Sequence, residues 1–259
     1  MKTSFLVLTA VMVVQWACRA VPVSLSSFGV PYTQNFNTLA STGTSSTLPT
    51  GWTFSETGSN ANGLYATGTG SSNTGDTYSF GSSGSSERAL GGLRSGNLIP
   101  LFGVEFRNDS GSTIASLAIA YTGEQWRLGT TNRADRLDFQ YSLDATSLTT
   151  GTWQDYNTLD FTSPSTSGSV GARNGNDSAN RTLLSATLPL TVPAGGTFWL
   201  RWVDYDAAGA DDGLAVDDFS LTAWGSPNAT VPEAGCTAGL LGLALAGLLV
   251  ARKVAAGLN

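Results

Sequence analysis

The chain has 259 residues, 12% of them charged, a net charge of −6 and a pI near 4.5. It is long enough for one large β domain or two smaller domains, and too acidic for a nucleic-acid partner, whose phosphates need a basic face. It contains no histidine, which excludes Ser-His-Asp and Cys-His nucleophilic chemistry and His-ligated zinc or iron, and leaves carboxylate mechanisms and oxygen-liganded cations such as calcium.

Residues 1–20 have the form of a secretory signal peptide: Lys2 as the positive start, an apolar run from Phe5 to Val14, and Cys18-Arg19-Ala20 as a small-x-small cleavage site. The second cysteine, Cys236, lies near the other end. The body between them therefore has no disulfide and relies on its own core.

From Val30 the chain reads as short strands split by turn residues, which predicts one all-β domain over 21–224, an antiparallel β-sandwich of jelly-roll type. Strands are expected at Tyr32 to Phe36 and at Trp52 to Ser55, and Gly68 to Ser86 reads as a Gly/Ser/Thr-rich surface loop folded over the sandwich. Phe102, Val104 and Phe106, then Leu117, Ile119 and Tyr121, alternate with smaller or polar residues on either side of Asn108-Asp109-Ser110-Gly111, the pattern of a hairpin. Leu137, Phe139 and Tyr141 alternate likewise. Leu183 to Val192 precedes the turn Pro193-Ala194-Gly195-Gly196. Asn-x-Ser/Thr sequons beginning at Asn108, Asn176, Asn180 and Asn228 mark expected surface turns.

The segment from Thr197 to Trp224 reads as a buried strand with large side chains on both faces (Phe198 to Val203), an acidic loop and a closing strand (Leu214 to Ala223). It holds six of the nineteen acidic residues: Asp204, Asp206, Asp211, Asp212, Asp217 and Asp218. Glycines between these carboxylates let the loop curl as calcium coordination requires; a solvated turn capped by backbone amides is the alternative. Aromatics in or next to expected loops, Trp52, Tyr78, Trp153, Tyr156 and Tyr205, are candidates for stacking on sugar rings, or else cap the ends of the sandwich. Glu124 in Tyr121-Thr122-Gly123-Glu124-Gln125-Trp126-Arg127, with Glu105, is the candidate for a carboxylate-based glycan-active enzyme; otherwise Trp126 packs inward and Arg127 pairs with Asp135 or Asp138.

A linker at 225–230 leads to Val231, Pro232, Glu233, Ala234 and Gly235, an apolar stretch over 234–251 that suits a transmembrane helix, and the cations Arg252 and Lys253. This tail, 231–259, resembles the bacterial PEP-CTERM sorting signals, in particular the VPDSG-like variant. That resemblance implies an exosortase-like membrane protease-transpeptidase as partner, transient anchoring in the inner membrane, and delivery to the cell surface or extracellular matrix. The ending Gly213-Leu214-Ala215-Val216-Asp217-Asp218-Phe219-Ser220-Leu221 is similar to the last strand of MAM domains and carbohydrate-binding modules, which implies a structural cation or buried hydrogen-bond network at Asp217 or Asp218. The expected function is an exported adhesive or polysaccharide-binding module, with a purely structural matrix component as the alternative.

Overall fold

The period of two in the apolar pattern is realised as strands throughout residues 21–226, which the computed structural model describes. The leader over 1–20 and the tail from 227, with the sorting motif, Cys236 and the apolar stretch 234–251, lie outside the described residues. Among the described residues no helix is long and apolar enough to cross a membrane.

In chain order the strands are β1 Val23–Leu25, β2 Pro31–Gln34, β3 Thr44–Ser45, β4 Trp52–Thr57, β5 Tyr65–Gly68, β6 Asp76–Phe80, β7 Ala89–Leu93 and β8 Ile99–Asn108. They continue with β9 Ile114–Leu128, β10 Arg136–Ser142, β11 Gln154–Asp155, β12 Phe161–Thr162, β13 Gly171–Ala172, β14 Arg181–Val192, β15 Thr197–Asp204 and β16 Gly213–Gly225. Two sheets result. In the first, β15 lies between β8 and β10, β11 and β12 flank β10, and β1 and β4 share the outer side of β8. In the second, β9 lies between β14 and β16, and β7, β6, β5 and β3 extend outward from β16. The pairings are antiparallel except β1 with β8 and β5 with β6, so the all-β expectation stands while a purely antiparallel arrangement does not.

Inner faces of both sheets make one core. From the first sheet come Phe102, Val104, Phe106, Leu137, Phe139, Phe198, Leu200 and Trp202; Leu117, Ile119, Tyr121, Val216, Phe219 and Leu221 come from the second. Trp202 is at its centre, stacked on Trp52 and Phe102 at 5.7 and 5.8 Å and meeting Tyr121, Phe139 and Phe219 edge-on at 5.4, 5.3 and 5.8 Å. The opposite face of β15 is covered as well, because Trp199 packs with Ala145 and Leu148 of the loop after β10.

Several expectations change. The segments on either side of Asn108-Gly111 are strands but not a hairpin, since β8 belongs to the first sheet and β9 to the second. Asn108 is fully buried, and its side-chain amide donates to the carbonyls of Ser112, Val192 and Pro193, tying this crossing to the β14–β15 crossing beside it. Asn180 is only 8% exposed, so the sequons at Asn108 and Asn180 do not mark surface turns. The expected loop over 68–86 contains β6, whose Tyr78 and Phe80 point the same way and stack at 4.9 Å.

Truncating the centre of this cluster removes ring contacts that no neighbour can restore. Trp202→Ala is expected to lower the urea unfolding free energy by roughly 3–5 kcal/mol, whereas removal of the exposed Leu183 side chain should leave the unfolding midpoint near that of the parent.

Candidate functional site

The six aspartates of the acidic segment fall into two groups. Four of them cap the end of β15 and the loop that follows. Asp204 accepts from the backbone N–H of Arg94 at 3.0 Å, Asp206 pairs with the Arg94 guanidinium at 3.0 Å, and Asp211 accepts from the N–H of Ala207 at 3.1 Å. Asp212 accepts from Gly129 N–H at 2.7 Å and from the Gln125 amide at 2.8 Å, with Arg133 3.8 Å away. Arg133 also pairs with Asp135 at 3.0 Å and donates to the carbonyls of Ala208 and Ala210. These carboxylates are thus spread along a loop served by backbone amides and two guanidinium groups, and their oxygens do not converge on one point.

Asp217 and Asp218 lie instead at a β-bulge in β16. Asp217 pairs with Thr122 and Ser220 with Ala120, so β16 carries one extra residue there, and Asp218 takes a left-handed φ of 47°. The bulge turns Asp218 to solvent. Asp217 faces the outer side of the second sheet, where Glu124 of β9 and Glu87 of the turn before β7 meet it. One oxygen from each lies within 4.8 Å of an oxygen of the other two, the one such three-carboxylate group among the described residues. Asp217 is the single residue of the expected calcium set in this group. Glu87 and Glu124 join it through long-range pairing: β7 and β9 flank β16 on opposite sides, a relation that sequence spacing does not display.

Each of the three carboxylates is fixed by one donor, and the Asp217 and Glu87 side chains also meet carboxyl to carboxyl. Glu124 Oε2 accepts from Trp126 Nε1 at 2.9 Å, Glu87 Oε2 from the Asn176 amide, and Asp217 from the backbone N–H of Asp218. Glu87 Oε1, Glu124 Oε1 and Asp217 Oδ1 are buried without a hydrogen-bond partner. Glu124 is 1% and Asp217 5% exposed. Burial first, and then the neighbouring carboxylates, push Glu124 up to about 7 and Asp217 up to about 9. The roof is the segment before β14, where Gly175 lies against the Trp126 indole so closely that a Cβ would fall 2.4 Å from Nε1. Trp126 is buried, as expected, but in a second cluster on the outer side of its sheet, stacked on Phe80 at 5.9 Å; Arg127 donates to the carbonyls of Gly70 and Ser71, not to Asp135 or Asp138. Neither Glu124 nor the fully buried Glu105 can reach a sugar from these positions.

The candidate stacking aromatics separate by exposure. Trp52 and Tyr78 are core residues, 2% and 4% exposed, the first donating to the Tyr32 hydroxyl at 2.9 Å. Trp153 lies under the Arg201 guanidinium at 3.9 Å, and Tyr156 is partly buried with its hydroxyl on the Thr187 carbonyl. Tyr205 is 44% exposed, with Arg136 4.2 Å above its ring. They do not share one surface pocket. What does open to solvent is a groove of about 550 Å³ beside β4, which pairs only with β8 and so leaves one side free. Leu48, Pro49 and Phe54 supply its apolar wall, and Ser46, Thr53 and Glu56 its polar groups. A cleft of roughly 300–1,000 Å³ with a mixed lining is the usual size for a small ligand.

The acidic loop generates a pH prediction. Burial first, then Asp135 and Asp211, raise the Asp204 carboxyl well above its ordinary range, against the favourable contribution of Arg94; Asp211 is raised to about 6 by burial and Asp135. Folded carboxyls that hold protons the unfolded chain has released make stability fall as pH rises from about 4 through the folded values. Asp204→Asn keeps an acceptor for Arg94 and removes one such group. Its urea midpoint should therefore fall less steeply than the parent's between pH 4 and 7, and an unchanged slope would show that Asp204 is not charged at a cost.

No known family model matches the chain, and no curated protein matches it in sequence. Among solved structures it is similar to the CBM22-1 xylan-binding domain of Paenibacillus barcinonensis Xyn10C, at 11% identity and a TM-score of 0.39 over 78% of this chain and 99% of that one. It is also similar to the K3 cleaved adhesin domain of Lys-gingipain from Porphyromonas gingivalis, at 12% identity and TM-score 0.38 over 67% and 91%. TmCBM61, solved with β-1,4-galactotriose, matches at 11% and 0.35 over 66% and 88%. Likenesses of this size do not bear on what the chain binds.

Proposed function

We propose that the protein is an exported jelly-roll module that binds a neutral polysaccharide at the cell surface or in the extracellular matrix. The groove beside β4 is the observation that supports this reading. Its wall of Leu48, Pro49 and Phe54 suits the apolar faces of sugar rings, and the hydroxyls of Ser46 and Thr53 suit sugar hydroxyls, while the Glu56 carboxylate is held by the N–H groups of Asn62, Gly63 and Thr77. An anionic chain fits less well. The groove contains a carboxylate and no cation, and both lysines of the sequence lie outside the described residues.

The sorting reading rests on the sequence of the ends. An exosortase-like partner would recognise Val231-Pro232-Glu233, cut near it, and separate the sandwich from the apolar stretch 234–251.

Binding is tested with Ser46→Trp, an exposed loop position whose new indole would fill the groove without entering the core. The purified protein is expected to be retarded in gels containing a neutral polysaccharide such as xylan or galactan, and less so in pectin. Ser46→Trp should weaken retardation at least tenfold at an unchanged melting temperature. Equal retardation of parent and variant would remove the groove from the reading, and no retardation by any glycan would favour a structural matrix component. For sorting, replacement of Val231, Pro232 and Glu233 by alanine should leave unprocessed protein in the membrane fraction; normal processing would count against an exosortase-type partner.

A further inference from the structure

We propose that Glu87, Glu124 and Asp217 hold a single calcium ion beneath the segment that leads into β14, and that this ion locks the β16 bulge to β7 and β9. Two independent observations point to a ligand here. The first is distance: oxygens from three side chains on three separate parts of the chain lie within 4.8 Å of one another. Calcium–oxygen bonds of about 2.3–2.6 Å let one ion reach oxygens up to roughly 5 Å apart, whereas magnesium, at about 2.0–2.1 Å, spans about 4 Å and keeps most of its water. The second is the set of buried oxygens without partners, one on each of these residues, two of which are at least nine-tenths buried. Such buried orphans leave room for a positive partner, because a buried acceptor without a donor loses its hydration and gains nothing.

The surrounding charges agree. Besides the three carboxylates, Asp218 adds further negative potential; the cations acting on the group are Arg181, exposed and paired across the sheet with Glu124, and Arg88, which acts on Glu87 while its guanidinium is bonded to Ser79. None of the ion pairs among the described residues includes Glu87, Glu124 or Asp217. Zinc fits less well, since the ligand set is carboxylate alone. The contacts already in place leave the site organised in advance: Trp126, Asn176 and the Asp218 amide each orient one carboxylate while its other oxygen stays free.

The test uses the full chain, stripped with chelator and then titrated with calcium. At a calcium concentration about 100 times its dissociation constant the melting temperature is expected to rise by roughly 5–10 °C, with little response to magnesium at the same concentration. Terbium supplies a local readout, because the Trp126 indole is hydrogen-bonded to Glu124 and would sensitise emission from an ion held there. Calcium should displace the terbium signal. Glu124→Gln and Asp217→Asn should abolish both responses. If either variant fails to fold, Glu87→Gln, at a partly exposed turn, should reduce calcium affinity at least tenfold. Trp126→Phe should lose most of the emission and, by removing the hydrogen bond that orients Glu124, weaken the calcium-induced rise in melting temperature. Absence of any calcium-dependent shift, or responses that survive in all three carboxylate variants, would overturn the proposal, the latter by placing the ion elsewhere, such as the Asp204 to Asp212 loop.

Discussion

Every part of the second sheet depends on how β16 is shared. On one side it runs beside β9 for almost its whole length; on the other it pairs first with β7, through Leu214 to Val216, and then with β2, through Phe219 to Thr222. Two strands from distant parts of the chain thus meet end to end along one edge, and the bulge at Asp217 and Asp218 falls where they change over. A straight strand would keep alternate side chains on fixed faces. One extra residue restores the inward direction for Phe219 and Leu221 after Val216, so the core continues without a break while Asp217 faces outward.

The same bulge explains why an otherwise sparsely charged protein gathers acid groups in its interior. Buried carboxylates need amide or guanidinium partners, and the two acidic regions meet that need differently. Around Asp204 to Asp212, Arg94, Arg133 and backbone amides surround the loop at the end of β15 and pin it to the strand. Around Asp217 the neighbours are other acids, and the hydrogen bonds present fix only one oxygen of each. The first arrangement has guanidinium partners and leaves one buried oxygen, Asp204 Oδ1, without a donor. The second is complete only with something positive in its centre.

Much of the strand pattern was legible from alternation. β10, β14, β15 and β16 lie where Leu137, Leu183, Phe198 and Leu214 predict, because their buried faces are written in every second residue. Alternation does not say which strand lies alongside. Asn108-Asp109-Ser110-Gly111 has hairpin chemistry, yet its asparagine is used to bind two sheet crossings together. β6 was obscured because its flanks are Gly, Ser and Thr, and the stack of Tyr78, Phe80 and Trp126 exists only after β6, β7 and β9 are assembled. The candidate site shows the same limit: Asp217 stands out in its motif, whereas nothing near Glu87 or Glu124 in the sequence announces that they share a chamber with it.

The position of β16 in the chain also governs the order in which this protein can become compact. Gln34 finds its partner in Phe219, and β9 cannot be covered on both sides until β14 and β16 are present. Sheets built from such distant partners close late and slowly. A chain made N-terminus first therefore exposes the apolar faces of β8 and β9 until the described residues from Arg181 onward arrive. Folding is in this sense withheld until synthesis is nearly done, which makes protection from premature association a requirement of the chain's handling.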